Sequence, residues 1–93
     1  MNSTSTATIL KSLADDTRLS IVRKLAWDNC EVNSSDIVSD CALALKLSQP
    51  TMSHHFQKLV AAGVIVEHKR GVEKSYQLNR LLLESVGINA DKL

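Results

Sequence analysis

Residues Leu47–Val66, LSQPTMSHHFQKLVAAGVIV, decide how the rest of the chain is read. Ser48 suits a helix N-cap, because its hydroxyl can accept from the unpaired backbone N–H groups of the first turn. Pro50 falls inside that turn, where its missing N–H costs nothing. A helix is therefore predicted from Ser48 to about Ala62, with Gly63 placed to end it in a left-handed conformation. At about 100° per residue the helix has two faces. Met52, Phe56, Leu59 and Val60 form an apolar stripe that must pack on something. Ser53, His54, Gln57, Lys58 and Ala61 lie opposite. With Gln49 and Thr51 in the first turn, this outer face offers small hydrogen-bonding groups. Such a face suits the DNA major groove, where base edges present donors and acceptors. A solvated surface helix would look the same in isolation, and the residues after Gly63 separate the two.

Beyond Gly63 the pattern turns from helical to extended. VIVEH is β-branched, KRGVEK is turn-like, and SYQL returns with polar and apolar residues alternating. This predicts a hairpin with Lys69, Arg70 and Lys74 at its tip. A helix followed at once by a basic-tipped hairpin is the pattern of a winged helix, in which the helix enters the groove and the wing touches phosphate. The fold class is mainly α with a small β-hairpin, in the order α-α-α-α-β-β-α.

The 93 residues predict one domain, with room for a modest core and none for a cleft between lobes. Aromatic residues make up only 3%, so the core must be built from Leu, Val, Ile and Ala. The net charge of +1 gives weak whole-molecule steering towards DNA, so affinity must come from local placement of charge. No apolar run approaches membrane-spanning length, and MNSTSTATIL has no signal-peptide character. A cytoplasmic protein without a membrane partner is expected, with Cys30 and Cys41 reduced.

Residues 1–6 are small and polar and are expected to fray. A first helix is predicted from Thr6 to Leu13, with Ile9, Leu10 and Leu13 on one side. Asp15 or Asp16 should cap the next, TRLSIVRKLAW, ending near Asp28. Its Leu19, Ile21, Val22, Leu25 and Ala26 mark it as the central core helix, and Arg18 reads as structural. DNCEVNSSD is a turn-rich connection. A third helix is predicted from Asp36, as cap, to Leu45, with Ile37, Cys41, Ala44 and Leu45 inward. After the hairpin, Asn79 can cap a short helix, RLLLESV. Ile9, Leu10 and Leu13, with Leu81, Leu82 and Val86, would leave apolar surface for a self-complementary dimer face.

LADDTRLSIVRKLA, LSQPTMSHHFQKLVAAGVI and the KRG-tipped hairpin, in this order, closely resemble the ArsR-type winged-helix repressors. The resemblance spans roughly Leu10 to Leu78. It implies a homodimeric repressor whose fourth helix reads a short inverted-repeat operator in double-stranded DNA. It also implies that the first and last helices form the dimer interface, and that Gln49, Thr51, Ser53 and His54 occupy recognition positions. Two departures stand out. Ile37 and Ser39 occupy positions where metal-sensing members carry thiols, and the last segment, LLLESVGINADKL, has no His. Neither metal-sensing pattern carries over, and no cofactor is expected. The connection from Asn29 to Ser35 is also longer than in the typical member.

Other chemistry finds little support. His54 and His55 diverge by about 100° on a helix and cannot easily chelate one ion. Cys30 and Cys41 flank a loop and form a candidate redox pair, with a surface thiol plus a small core residue as the plainer reading. The same divergence rules out Ser53-His54 as a nucleophile and base, and with no phosphate-cradling Gly loop and no pair of convergent acids, no catalytic residue and no enzyme are expected. Besides the repressor, the near-neutral charge leaves room for a winged-helix module that binds protein instead of DNA.

Overall fold

The computed structural model describes residues 5–93. Each of its five α-helices starts on a side chain that captures a free backbone N–H. Ser5 accepts from Thr8 at 3.1 Å to open α1 (Thr6–Leu13), and Asp15 accepts from Arg18 at 3.0 Å to open α2 (Asp16–Asp28). Asn33 opens α3 (Ser34–Leu45) by accepting from Asp36 at 3.2 Å. Ser48 opens α4 (Gln49–Ala61) by accepting from Thr51 at 3.2 Å. Asn79 opens α5 (Arg80–Ser85) by accepting from Leu82 at 3.2 Å. A short 3-10 turn, Ala90–Lys92, comes last and packs back on α2.

Three antiparallel strands complete the described chain, β1 (Val32–Asn33), β2 (Ile65–Arg70) and β3 (Glu73–Leu78), in the order β1-β3-β2. The hairpin is in register from Ile65 opposite Leu78 to Arg70 opposite Glu73, and Gly71 turns it at φ +66°. Gly63, at φ +81°, ends α4 and lets the chain reverse directly into β2.

The core gathers Ile21, Val22 and Leu25 from α2, Met52, Phe56 and Leu59 from α4, and Val64, Ile65 and Leu83, all almost inaccessible to solvent. Phe56 stacks on Tyr76 of β3, with ring centroids 5.1 Å apart and planes inclined by 17°. This pair joins the back of α4 to the middle strand of the wing.

Several expectations change. Residues 1–4 lie outside the described part, and Ser5 and Thr6 are the cap and first residue of α1, not a frayed tail. The cap of the third helix lies three residues earlier than predicted, because Asn33 reaches the Asp36 N–H and leaves Asp36 inside the first turn, where its charge favours the helix dipole. Its buried stripe runs through Ile37, Val38, Cys41 and Ala42, which leaves Ala44 at the margin in solvent. The turn-rich connection holds β1, where Val32 pairs with Tyr76 and Asn33 with Ser75. Val60 is only half-buried, and Ala62 takes its place in the core.

The apolar set assigned to a dimer face divides. Ile9 and Leu13 are 1% and 6% exposed and pack in their own core, because α1 lies against α2 and α4. Leu82 and Val86 are half-buried against the same core, and Leu83, which the sequence pattern did not single out, is fully inside. Leu10 and Leu81 remain, exposed at 50% and 79%.

Candidate nucleic-acid interface

The apolar stripe of α4 fixes what its other face can offer. With Met52, Phe56 and Leu59 at zero exposure, the helix cannot rotate without emptying the core. Gln49, Thr51, His54, Gln57 and Lys58 are therefore held outward and exposed, with Ser53 half-buried between them. Thr51 also serves the cap, since its hydroxyl accepts from that of Ser48 at 2.9 Å. Gln49 is tied to another element, its amide nitrogen donating to the Ser39 hydroxyl of α3 at 3.1 Å. A groove of about 480 Å³ separates this face from the wing, bordered by Gln49, Ser53 and Gln57 on the helix and by Val72, Glu73 and Lys74 on the wing.

The wing is less basic than its sequence implied. Arg70 forms a two-pronged pair with Glu31, at 2.8 and 3.2 Å. Glu31 also accepts from the Ser75 hydroxyl, and these two partners, Ser75 first, hold its carboxyl below the usual range. Lys74 lies 3.7 Å from Glu67 and 5.6 Å over the Tyr76 ring. Among the described residues, Lys69 is the wing cation with no carboxylate within ion-pair distance. Arg70 is 72% exposed in its pair, so solvent screens the attraction and a phosphate can compete for the remaining guanidinium N–H groups. The Glu31 partnership joins residues 39 and 44 positions apart, beyond the reach of any local sequence pattern.

Behind the interface, Arg18 takes the structural role expected of it. Its Nε donates to the Ser12 carbonyl at 2.6 Å, and its Nη1 lies 3.3 Å from His55 Nδ1 on α4. Asp15 is 3.9 Å from the same ring nitrogen. The Arg18 backbone N–H, followed by the Arg18 charge, outweighs desolvation and lowers the Asp15 pKa. His55 is thus half-buried and clamped between α2 and α4, while His54 faces solvent. No cluster of three His, Cys, Asp or Glu side chains among the described residues is arranged to hold a metal ion.

The two thiols differ sharply. Cys30 is exposed, whereas Cys41 is buried and its thiol pKa is pushed up by desolvation. The thiolate is the reactive form, so Cys41 is a poor nucleophile at neutral pH. A thiol-reactive chromophore should therefore label one cysteine rapidly in the native protein and the second only in denaturant. Cys30→Ser should remove the fast phase. Two fast equivalents in the native state would contradict the placement of Cys41.

The ArsR family of bacterial regulatory proteins matches residues 15–66, from the cap of α2 into β2. The chain belongs to the ArsR family. It is 35% identical over 85 residues to an arsenical resistance operon repressor of Staphylococcus xylosus, covering 91% of this chain and 76% of the relative. Among solved structures, the transcriptional repressor PagR of Bacillus anthracis superposes with a TM-score of 0.66 at 31% identity, covering 86% of this chain and 85% of PagR. A homodimeric winged helix-turn-helix DNA-binding domain from Mycobacterium bovis, described as a possible ArsR-family regulator, superposes with a TM-score of 0.60 at 28% identity, covering 77% and 61%. This ArsR-family protein is a DNA-binding transcriptional regulator with a winged helix-turn-helix fold, and the family is not one of enzymes. Family membership decides against the protein-binding module. Among the described residues, no helix is long and apolar enough to cross a membrane.

Proposed function

We propose that this ArsR-family protein is a homodimeric repressor that reads a short inverted-repeat operator through the outer face of α4. The wing then follows the DNA backbone. The observation that carries this reading is the pairing of a locked helix, exposing Gln49, Thr51, His54, Gln57 and Lys58, with a basic-tipped wing across one groove. Ser53, His54 and Gln57 face base edges in this reading, with Gln49 and Thr51 beside them in the first turn of α4. Lys69, Arg70 and Lys74 meet phosphate, the last two by exchanging or sharing their present carboxylate partners.

Dimerisation is supported by the homodimeric relative from Mycobacterium bovis and by Leu10 and Leu81, which are exposed here without a covering partner among the described residues. Control by a metal bound in the family's thiol-based or last-helix manner has no place in the reading. Ile37 lies in the core and Ser39 is engaged with Gln49. The candidate redox pair is also left out, since Cys41 is buried with a raised pKa.

Selection of bound sites from random duplex DNA, followed by affinity measurement on the selected site, tests the proposal. His54→Ala should weaken operator binding by about 1–3 kcal/mol and relax the preference at one or two positions. Lys69→Ala should weaken specific and random duplexes alike and lower the salt slope by about 0.9. Equal losses on specific and random DNA for both variants would sink the division of labour between helix and wing.

A further inference from the structure

Among the described residues, Gln49 is the member of the outer face of α4 whose side chain is held by a different element. Its amide nitrogen donates to Ser39 Oγ at 3.1 Å across ten residues of sequence. Ser39 is half-buried on α3, between Val38 and the buried turn at Cys41 and Ala42, so its backbone is set by the packing of α3. Gln49 is itself the first residue of α4. In a helix-turn-helix the first residues of the recognition helix are those that contact base edges. We propose that Ser39 is a specificity-positioning residue, whose hydroxyl orients the Gln49 carboxamide to read adenine in each operator half-site. The proposal rests on the operator-binding function proposed for α4 and names one of its determinants.

Donor and acceptor supply selects the base. A carboxamide carries two N–H donors on nitrogen and an oxygen acceptor. Ser39 engages one N–H and leaves the second, together with Oε1, free for DNA. One donor beside one acceptor matches the major-groove edge of adenine, which offers N7 as acceptor and the N6 amino group as donor. Guanine presents two acceptors there, and Oε1 would face one of them unpaired. An untethered glutamine could rotate to present either atom first and would lose rotamer freedom on binding. The Ser39 bond, made here by the amide nitrogen, removes part of that cost beforehand.

The experiment takes the full chain and the operator selected from random DNA, with each base pair of a half-site then changed in turn. Ser39→Ala should weaken the selected operator by about threefold to tenfold, the range expected when one flexible side chain loses its preorganisation. The loss should fall on a single A·T position, where the preference over G·C shrinks, while binding to random DNA and thermal stability stay unchanged. In a Gln49→Ala background the same substitution should cost nothing further, and Ser39→Thr, which keeps a hydroxyl, should restore the preference. A Ser39→Ala loss that is spread over every position, or that adds in full to that of Gln49→Ala, would overturn the positioning role and make Ser39 a simple clip between α3 and α4. A specific wild type with an unaffected Ser39→Ala overturns this inference alone. A wild type with no sequence preference overturns the operator reading and this inference with it.

Discussion

Phe56→Ala should remove about 3–5 kcal/mol of folding stability, the usual cost of deleting a buried aromatic ring. A chain of this length holds roughly 5–14 kcal/mol in total, so the variant would sit near the edge of folding. The ring is fully buried, and it stacks on Tyr76, which is itself only 2% exposed. Tyr76 lies on β3, the middle strand of the sheet, so the cavity would open between the recognition helix and the wing. With one Phe, one Tyr and one Trp in the chain, and Trp27 86% exposed on α2, no other buried aromatic can fill the gap. Urea unfolding followed by circular dichroism checks this, with an accompanying fall in Tm of at least about 12 °C. Phe56→Leu keeps much of the volume and should recover most of the loss. A Phe56→Ala loss below about 1.5 kcal/mol would mean that the site collapses around the missing ring, against a rigid coupling of helix to wing.

The parts of the fold that could be read from sequence are those encoded within a few residues. Ser48 and Asn79 cap the helices they were expected to cap, and Gly63 ends α4 in the left-handed region, because cap and turn chemistry is local. The stripe of Met52, Phe56 and Leu59 was legible for the same reason, since helical period alone puts these side chains on one side. What escaped depends on partners far along the chain. β1 is two residues long, too short to show any alternation, and exists because β3 presents a free edge to it. Ile9 and Leu13 carried no mark that distinguished an intrachain partner from a second copy, and only the packing of α1 on α2 and α4 decided it. In the candidate interface the exposed residue types were legible, while the couplings of Ser39 to Gln49 and of Glu31 to Arg70 were not. Both couplings adjust the chemistry of residues already singled out, one by orienting a carboxamide and the other by offsetting a cation.

Leu81→Glu should reduce operator affinity by about 100-fold to 10,000-fold while leaving the fold intact. Size is the first reason. The Cα trace of one protomer measures 30 Å along its longest axis. Half-sites one helical turn apart are centred about 34 Å from each other, so two protomers on adjacent major grooves come close enough to meet. Once they do, binding of the second half-site becomes intramolecular, and the affinity gained is of the order lost when that link is cut. Leu81 is the clean residue on which to cut it. At 79% exposure it lies outside the core of its own chain, whereas Leu82 is half-buried against that core and a charge there would confuse dissociation with unfolding. A glutamate facing its symmetry mate across a twofold interface would place like charges together in an apolar contact. Sedimentation should therefore show a monomer at micromolar concentration with an unchanged Tm, and Leu10→Glu should behave alike if α1 shares the face. The isolated half-site should still be bound by the variant as weakly as by one wild-type protomer, because α4 and the wing are untouched. A Leu81→Glu protein that remains dimeric and binds the full operator normally would move the interface away from α5, with the exposed Trp27 and Leu43 as the next surfaces to probe.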